Sequence, residues 1–388
     1  MAERSFPQWQ HVFGETEPPL FHKTGVLWIA RQDDEYVKNT RDIFAAAKIK
    51  FEIMDAADLA KRYPQIQVRE PNVFGMFEPE SGALMARRAV AAVVGAAVEI
   101  GVQFARAAVR LDLASGSKFG QGRPSLKTMS GGFSQELART TEPDSAGSPR
   151  IPDGSEGRAG PARASKELAR TTEPDSAGSL RVSDGSEGRA GPVRTIEADQ
   201  LVFACGPWLP KLFPGLLGSR IFPTRQEVLF FAPPAGDGRF APGRFPAWID
   251  FTDPRVPYGF PDIESRGVKF AFDRHGPEFD PDSGGRLVSS ASIDEARTFL
   301  AERFPALREA PLAETRVCQY ENTSNGDFLI DRHPDLENVW LVGGGSGHGF
   351  KHGPAVGEYA ANRIAGKGAA EERFSYRTKG VVQNRTVF

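Results

Sequence analysis

The chain has 388 residues, 40% hydrophobic and 25% charged, with a formal net charge of −2, the profile of an ordinary globular enzyme with room for two domains. The balanced charge gives no argument for nucleic acid or an anionic membrane as partner, and two cysteines, Cys205 and Cys318, exclude a disulfide scaffold or a four-cysteine zinc site. The N-terminus lacks an apolar signal core, and the longest run without a polar side chain, Ala89 to Val98, is far short of a membrane span, so a cytoplasmic setting is expected.

Met1 to Trp9 reads as the tail of a helix, and Gly25 to Ala30 as a strand. Asp34 to Ala47 is expected to be helical, with Tyr36, Val37, Ile43 and Phe44 on one face. Asp55 caps a second helix that runs through Arg62 and stops before Pro64, and Val73 to Phe77 is the next strand. Ala86 to Ile100 carries the plainest helical stripe, Ala89, Val90, Val93, Val94, Ala97 and Val98, with Gly101 ending it. Val102 to Phe104 and Val109 to Leu113 read as strands.

From about Ser115 to Arg194 the chain is rich in Gly, Ser, Pro, Arg and Glu. Residues 136–163 recur almost unchanged as 167–194, with too few apolar positions to offset the entropy of ordering. This stretch reads as a disordered, duplicated insertion; a tethered binding segment is the alternative.

Order resumes at Thr195, with a buried-type strand Leu201 to Gly206 followed by Pro207 and Trp208, and a strand Val228 to Phe231. Val268 to Phe272 alternates, placing Val268, Phe270 and Phe272 on one face and Lys269 on the other. A lysine in that position is either snorkelling to water or buried for a purpose. Ile293 to Phe304 is a helix, and Arg316 to Tyr320 and Phe328 to Ile330 are short strands. The strand Val339 to Val342 then runs into six glycines within eleven residues, and Pro354 opens a helix that Gly366 closes. Bare backbone next to a helix start suits a large, flat, partly anionic ligand; a tight turn and nothing more is the other reading. The six histidines show no metal-ligand spacing. Strands and helices mix throughout, so the fold class is α/β (α+β).

Several segments together resemble the D-amino-acid-oxidase-like FAD-dependent oxidoreductases, in particular the sarcosine oxidase and N-methyl amino acid oxidase branch. The carriers are GGGSGHGFKHGPAVGE (343–358), CQYENTSNGDFLIDRHPDLENVWLVGG (318–344), ADQLVFACGPW (198–208), FPTRQEVLFF (222–231) and GVKFAFDRHGPEFDPDS (267–283). The resemblance implies an incomplete Rossmann-like FAD-binding domain interleaved with an antiparallel-sheet substrate domain. The first would comprise 1–20, 80–114, 195–220 and 331–388, the second 21–79 and 221–330, with 115–194 as the insertion. The family's G-x-G-x-x-G is not present, because residue 348 is His where the last glycine would stand, and an N-terminal βαβ unit is expected to be missing.

By the same resemblance, Cys318 is joined to FAD; read from residues alone it is a small buried hydrophobe. Lys269 is placed to assist oxygen reduction, Lys351 to bind the substrate carboxylate, and Tyr320 to complete the catalytic set. Gly206, Trp208, Gly343, Gly344, Gly345, Ser346, Gly347, His348, Gly349 and Lys351 would contact the cofactor, with core packing the alternative role of Trp208. Asp273, where the branch often has histidine, and His275 would line the pocket. The implied enzyme oxidises the C–N bond of a small secondary or N-methyl amino acid or amine and returns electrons to molecular oxygen, as a monomer or weak oligomer. A flavin dehydrogenase using another acceptor and a truncated non-catalytic fragment are the alternatives.

Overall fold

The computed structural model describes residues 1–14, 18–105, 108–112, 125–129, 194–196 and 198–382. They fall into two compact units, one holding 1–104 and 198–382, the other the strands between 105 and 196.

In chain order the first unit begins with α1 (Ala2–Phe13), β1 (Phe21–His22), β2 (Val26–Arg31), α2 (Glu35–Ala46), β3 (Glu52–Met54), α3 (Ala56–Arg62), β4 (Val73–Glu78), β5 (Ala83–Leu84) and α4 (Ala86–Glu99). The expected cap is made, Asp55 Oδ1 accepting from the Asp58 amide at 2.8 Å, and Asp34, expected as the first residue of α2, is its cap, accepting from the Val37 amide at 2.9 Å. The expected faces are not. On α2 only Val37 is buried while Tyr36 and Ile43 are exposed; on α4 only Ala89 is buried, and Val90, Val93 and Val98 face outward among the described residues. Periodicity establishes a stripe but not that a neighbour covers it.

The second unit shows β6 (Ala108–Asp112), β7 (Ser125–Met129) and β8 (Arg194–Ile196), an antiparallel sheet in the order β6-β7-β8. Val102 to Phe104, expected as a strand, has no regular structure. The expected disordered insertion is corrected at 125–129, where Ser125–Met129 pairs along β6; the duplication between 136 and 193 lies outside the described residues.

The chain returns with β9 (Leu201–Phe203), a 3-10 turn at Gly206–Trp208, α5 (Leu209–Leu212), α6 (Pro214–Leu217), β10 (Ile221–Phe231), β11 (Ala247–Asp250), β12 (Pro257–Phe260), β13 (Val268–Phe272), α7 (Ser290–Arg303), β14 (Leu312–Thr323), β15 (Leu329–Arg332), β16 (Val339–Gly343) and α8 (Gly353–Ile364). Eight strands form one sheet in the order β14-β10-β13-β12-β11-β2-β4-β3, antiparallel except where β11 runs beside β2. A separate sheet, β15-β16-β9, has β16 parallel to β9.

The large sheet buries one face. Val268 and Phe270 of β13 and Leu229 and Phe231 of β10 meet Trp248, Phe299, Leu300 and Phe304, all nearly inaccessible to water. Phe299 stacks on Trp248 with ring centroids 6.1 Å apart. Each such side chain contributes roughly 1.5–3 kcal/mol. Beneath this core Arg303 pairs with fully buried Asp250 at 2.8 Å and with Glu70 at 2.7 Å. The opposite face of the same strands is freed for chemistry.

Candidate active site

Register decides which side chains share that free face, because residues directly opposite in an antiparallel pair point the same way. Lys269 stands opposite Phe260 of β12 on one side and Phe230 of β10 on the other, and Phe230 in turn stands opposite Glu314 of β14. Counting in twos along β14 adds Arg316, Cys318 and Tyr320 to the face; counting along β12 adds Tyr258.

The Lys269 ammonium lies 4.7 Å from the ring centre of Phe260 and 5.3 Å from that of Tyr258. Burial holds its pKa below the usual lysine value, against the pull of Cys318 and Asp273. Lys269 is partly accessible, with its ammonium held beside these two rings. Tyr320 donates to Asp273 Oδ1 at 3.0 Å. Burial, then the neighbouring Tyr258 and Asp273, pushes the Tyr320 phenol well above its ordinary pKa, and burial with Asp273 does the same to Tyr258, so both hydroxyls stay protonated. Cys318 is a free, exposed thiol, which corrects its reading as a small buried hydrophobe.

The glycine turn abuts this face. At Gly347, with φ +81°, a Cβ would fall 2.4 Å from Tyr320 Cε2. Ser346, forced to φ 44°, donates its amide to the Glu321 carbonyl at 3.3 Å, and its Oγ accepts from the Thr323 amide at 3.2 Å. Residues 343–349 are thus tied to the end of β14, beside Tyr320 and two residues beyond Cys318. His348 Nε2 lies 3.1 Å from the Gly326 carbonyl. Lys351 is exposed; its carbonyl accepts from Trp9 Nε1 at 3.1 Å, and its charge opposes the burial that raises the pKa of Glu78. Ser5 Oγ takes the Ala355 amide at the start of α8, so α1 clasps the far side of the turn.

Gly206 also comes to the turn, through Glu321. Trp208 does not pack in a core: it is exposed and donates to Asp282 Oδ1 at 2.7 Å. Glu321 is the residue that sequence reasoning missed. Its Oε1 accepts from the Gly345 amide at 3.2 Å while its Oε2 is buried without a partner among the described residues. A cavity of about 330 Å³ bordered by Arg62, Gln65, Arg239 and Arg244 includes none of these groups.

Two turns thus meet at the carboxyl ends of the parallel strands β9 and β16, the place where open α/β sheets hold nucleotides, and a cation, a thiol and two protonated phenols line the adjoining face. That is the arrangement of a flavoprotein oxidoreductase: an unpaired buried polar atom at the turns and a sheet face of chemical side chains fit the flavin nucleotide. The sequence profile described as "DAO: FAD dependent oxidoreductase" matches residues 1–135 and 163–363, and the chain belongs to this family of FAD-dependent enzymes.

Among its relatives, monomeric sarcosine oxidase of Bacillus sp. (strain B-0618) is 26% identical over 380 residues, covering 97% of this chain and 79% of that protein. N-methyl-L-tryptophan oxidase of Salmonella agona (strain SL483) is 24% identical over 372 residues, covering 92% and 77%. The solved structure of L-proline dehydrogenase from P.horikoshii superposes with a TM-score of 0.65 over 97% of this chain and 82% of that one, at 17% identity, a likeness of fold.

Proposed function

We propose that the protein oxidises the C–N bond of a secondary or N-methyl amino acid and passes the electrons to oxygen. The observation that carries this reading is the joint presence of Lys269, Cys318 and Tyr320 on one sheet face, with Tyr320 packed against the glycine turn. The relatives named for sarcosine and N-methyl-L-tryptophan support the substrate class. The balanced reaction takes a secondary amine, water and O₂ to a primary amine, an aldehyde and hydrogen peroxide.

FAD, when bound, supplies the two-electron acceptor. The chain's residues supply position and charge. Amides of 343–349 would hold the cofactor, and Gly206 would admit it closely. Lys351, at the exposed edge of the turn, binds the substrate carboxylate as a point charge. Asp273 fixes the Tyr320 hydroxyl, which stays protonated and donates within the pocket. Lys269 stabilises negative charge developing on oxygen, a role supported by the place of its ammonium beside the Phe260 and Tyr258 rings. The exposed Cys318 thiol would be the residue that holds FAD covalently, its S–H and a flavin C–H being lost as the S–C bond forms, with the two electrons passing to oxygen, the reaction's own oxidant. The separation of the eight-strand sheet from the β15-β16-β9 sheet supports a substrate part that includes 221–330 and a cofactor part that includes 195–220 and 331–388, while β1 and β5 pair across the expected bound between 79 and 80.

Acid precipitation of purified protein tests this reading: yellow colour stays with the polypeptide, and Cys318→Ser releases it. Peroxide formation with N-methyl amino acids, followed by a coupled peroxidase assay, tests the reaction. Flavin remaining covalently bound in Cys318→Ser refutes the link, and oxidation of these amines with a dye but not with oxygen refutes the oxidase.

A further inference from the structure

Glu321 lies one position out of phase with Cys318 and Tyr320, so it leaves the sheet on the other side and enters the space between two turns. Its Oε1 accepts from the Gly345 amide. Its Oε2 has no partner among the described residues, yet is shut off from water. A Cβ built on Gly343 would come within 2.9 Å of that oxygen, and one on Gly206 within 4.0 Å. The unpaired oxygen therefore faces both glycine turns at the carboxyl ends of β9 and β16.

We propose that Glu321 is a cofactor-positioning residue, a carboxylic acid whose Oε2–H donates a hydrogen bond to an acceptor atom of the bound flavin dinucleotide. This rests on the flavin-binding reading above. The alternative, a carboxylate, would set a negative charge, supported only by neutral amides and by no cation among the described residues, against an anionic dinucleotide in a buried place. The acid has no such conflict, since its carbonyl oxygen satisfies Gly345 and its hydroxyl needs an acceptor. Burial supports this form: it raises the Glu321 pKa to about 7 despite the amides of Gly345 and Gly344, which favour the anion.

The titratable groups on the surrounding segments are Cys205, after β9, and His348 and Lys351 in the glycine turn. Burial, and then Glu321 itself, raises the Cys205 pKa, so that thiol stays neutral through the range where the acid would ionise. A buried acid with one oxygen satisfied by an amide and the other empty is unstable in the free protein, because an unpaired polar group is costly. Binding relieves it, so the proton on Glu321 and the cofactor are linked.

The test titrates FAD into the Cys318→Ser protein, where binding is reversible, by flavin fluorescence quenching between pH 6 and 9. The dissociation constant is expected to be flat below pH 7 and to weaken by up to about tenfold per unit above it, because only the protonated acid donates. Glu321→Gln keeps a donor that does not titrate and is expected to bind tightly with a flat profile. Glu321→Ala is expected to bind about tenfold more weakly at pH 6, also with a flat profile. A flat profile in the parent, or the same slope surviving in Glu321→Gln, overturns the assignment of Glu321 while leaving flavin binding intact. Absence of flavin binding at every pH sinks the reading beneath it and this inference together.

Discussion

Gly347→Ala probes the join between the glycine turn and the sheet. Two costs add there. The backbone sits at φ +81°, which costs a non-glycine residue about 1 kcal/mol or more. The new methyl would also lie 2.4, 2.6 and 2.8 Å from three atoms of the Tyr320 ring, closer than side-chain carbons approach. Tyr320 cannot swing away cheaply, because its hydroxyl is held by Asp273. Overpacking of this kind adds roughly 1–3 kcal/mol. Gly366→Ala is the matched control, with φ +70° and nothing within 4 Å of the built Cβ. It carries the backbone cost alone, so the two variants are expected to differ by about 1–3 kcal/mol. At about 2 °C per kcal/mol this is a melting-temperature gap of about 2–6 °C, with Gly347→Ala the lower. Urea titration and differential scanning calorimetry on both variants measure it. Equal losses would mean that the turn does not bear on Tyr320, and the geometry of the site would be wrong.

Lys269→Met keeps the packing over Phe260 and Tyr258 but removes the charge. A cation about 5 Å from a developing anion at an effective dielectric near 20 is worth about 3 kcal/mol, so kcat/KM for oxygen is expected to fall about 100-fold, measured by oxygen-electrode kinetics. A fall of under threefold refutes the role. Arg303→Met strands the buried Asp250 carboxylate and is expected to cost about 3–5 kcal/mol in denaturant unfolding. His352 is pushed down to about 3 by burial, then by the charges of Lys351 and His348. Its folded pKa lies below the ordinary 6.5, so its contribution to stability is present above about pH 6.5 and is lost as pH falls toward 3. His352→Asn is expected to flatten that acid limb in thermal melts taken from pH 7 to 4.

How much of this was legible in the sequence depended on whether the signal was local. β13 followed from strict alternation, and the cap of α3 from an aspartate at the start of a short run stopped by proline. The glycine turn followed from density alone. β10 extends well beyond the expected Val228 to Phe231 because Pro223 sits within it, and proline ordinarily argues against a strand. β14 likewise outruns Arg316 to Tyr320, its charged residues masking the alternation. The exposure of Tyr36, Val93 and Trp208 is a tertiary fact that no spacing carries. Glu321 escaped notice because a single acid between Tyr320 and Asn322 has no pattern; its opposite parity to Cys318 within a long strand was the available clue.

One further feature of β14 bears on the protein's solubility rather than on its chemistry. This strand lies at the end of the eight-strand order, so no further strand of that sheet pairs with its outer rim among the described residues. Glu314 and Arg316 sit along it, and Glu314 pairs with Arg316 and, at 2.9 Å, with Arg266. Charges on an edge discourage a second molecule from zipping on. Neutralising that pair would be expected to leave the protein folded and make concentrated solutions prone to fibrous self-association.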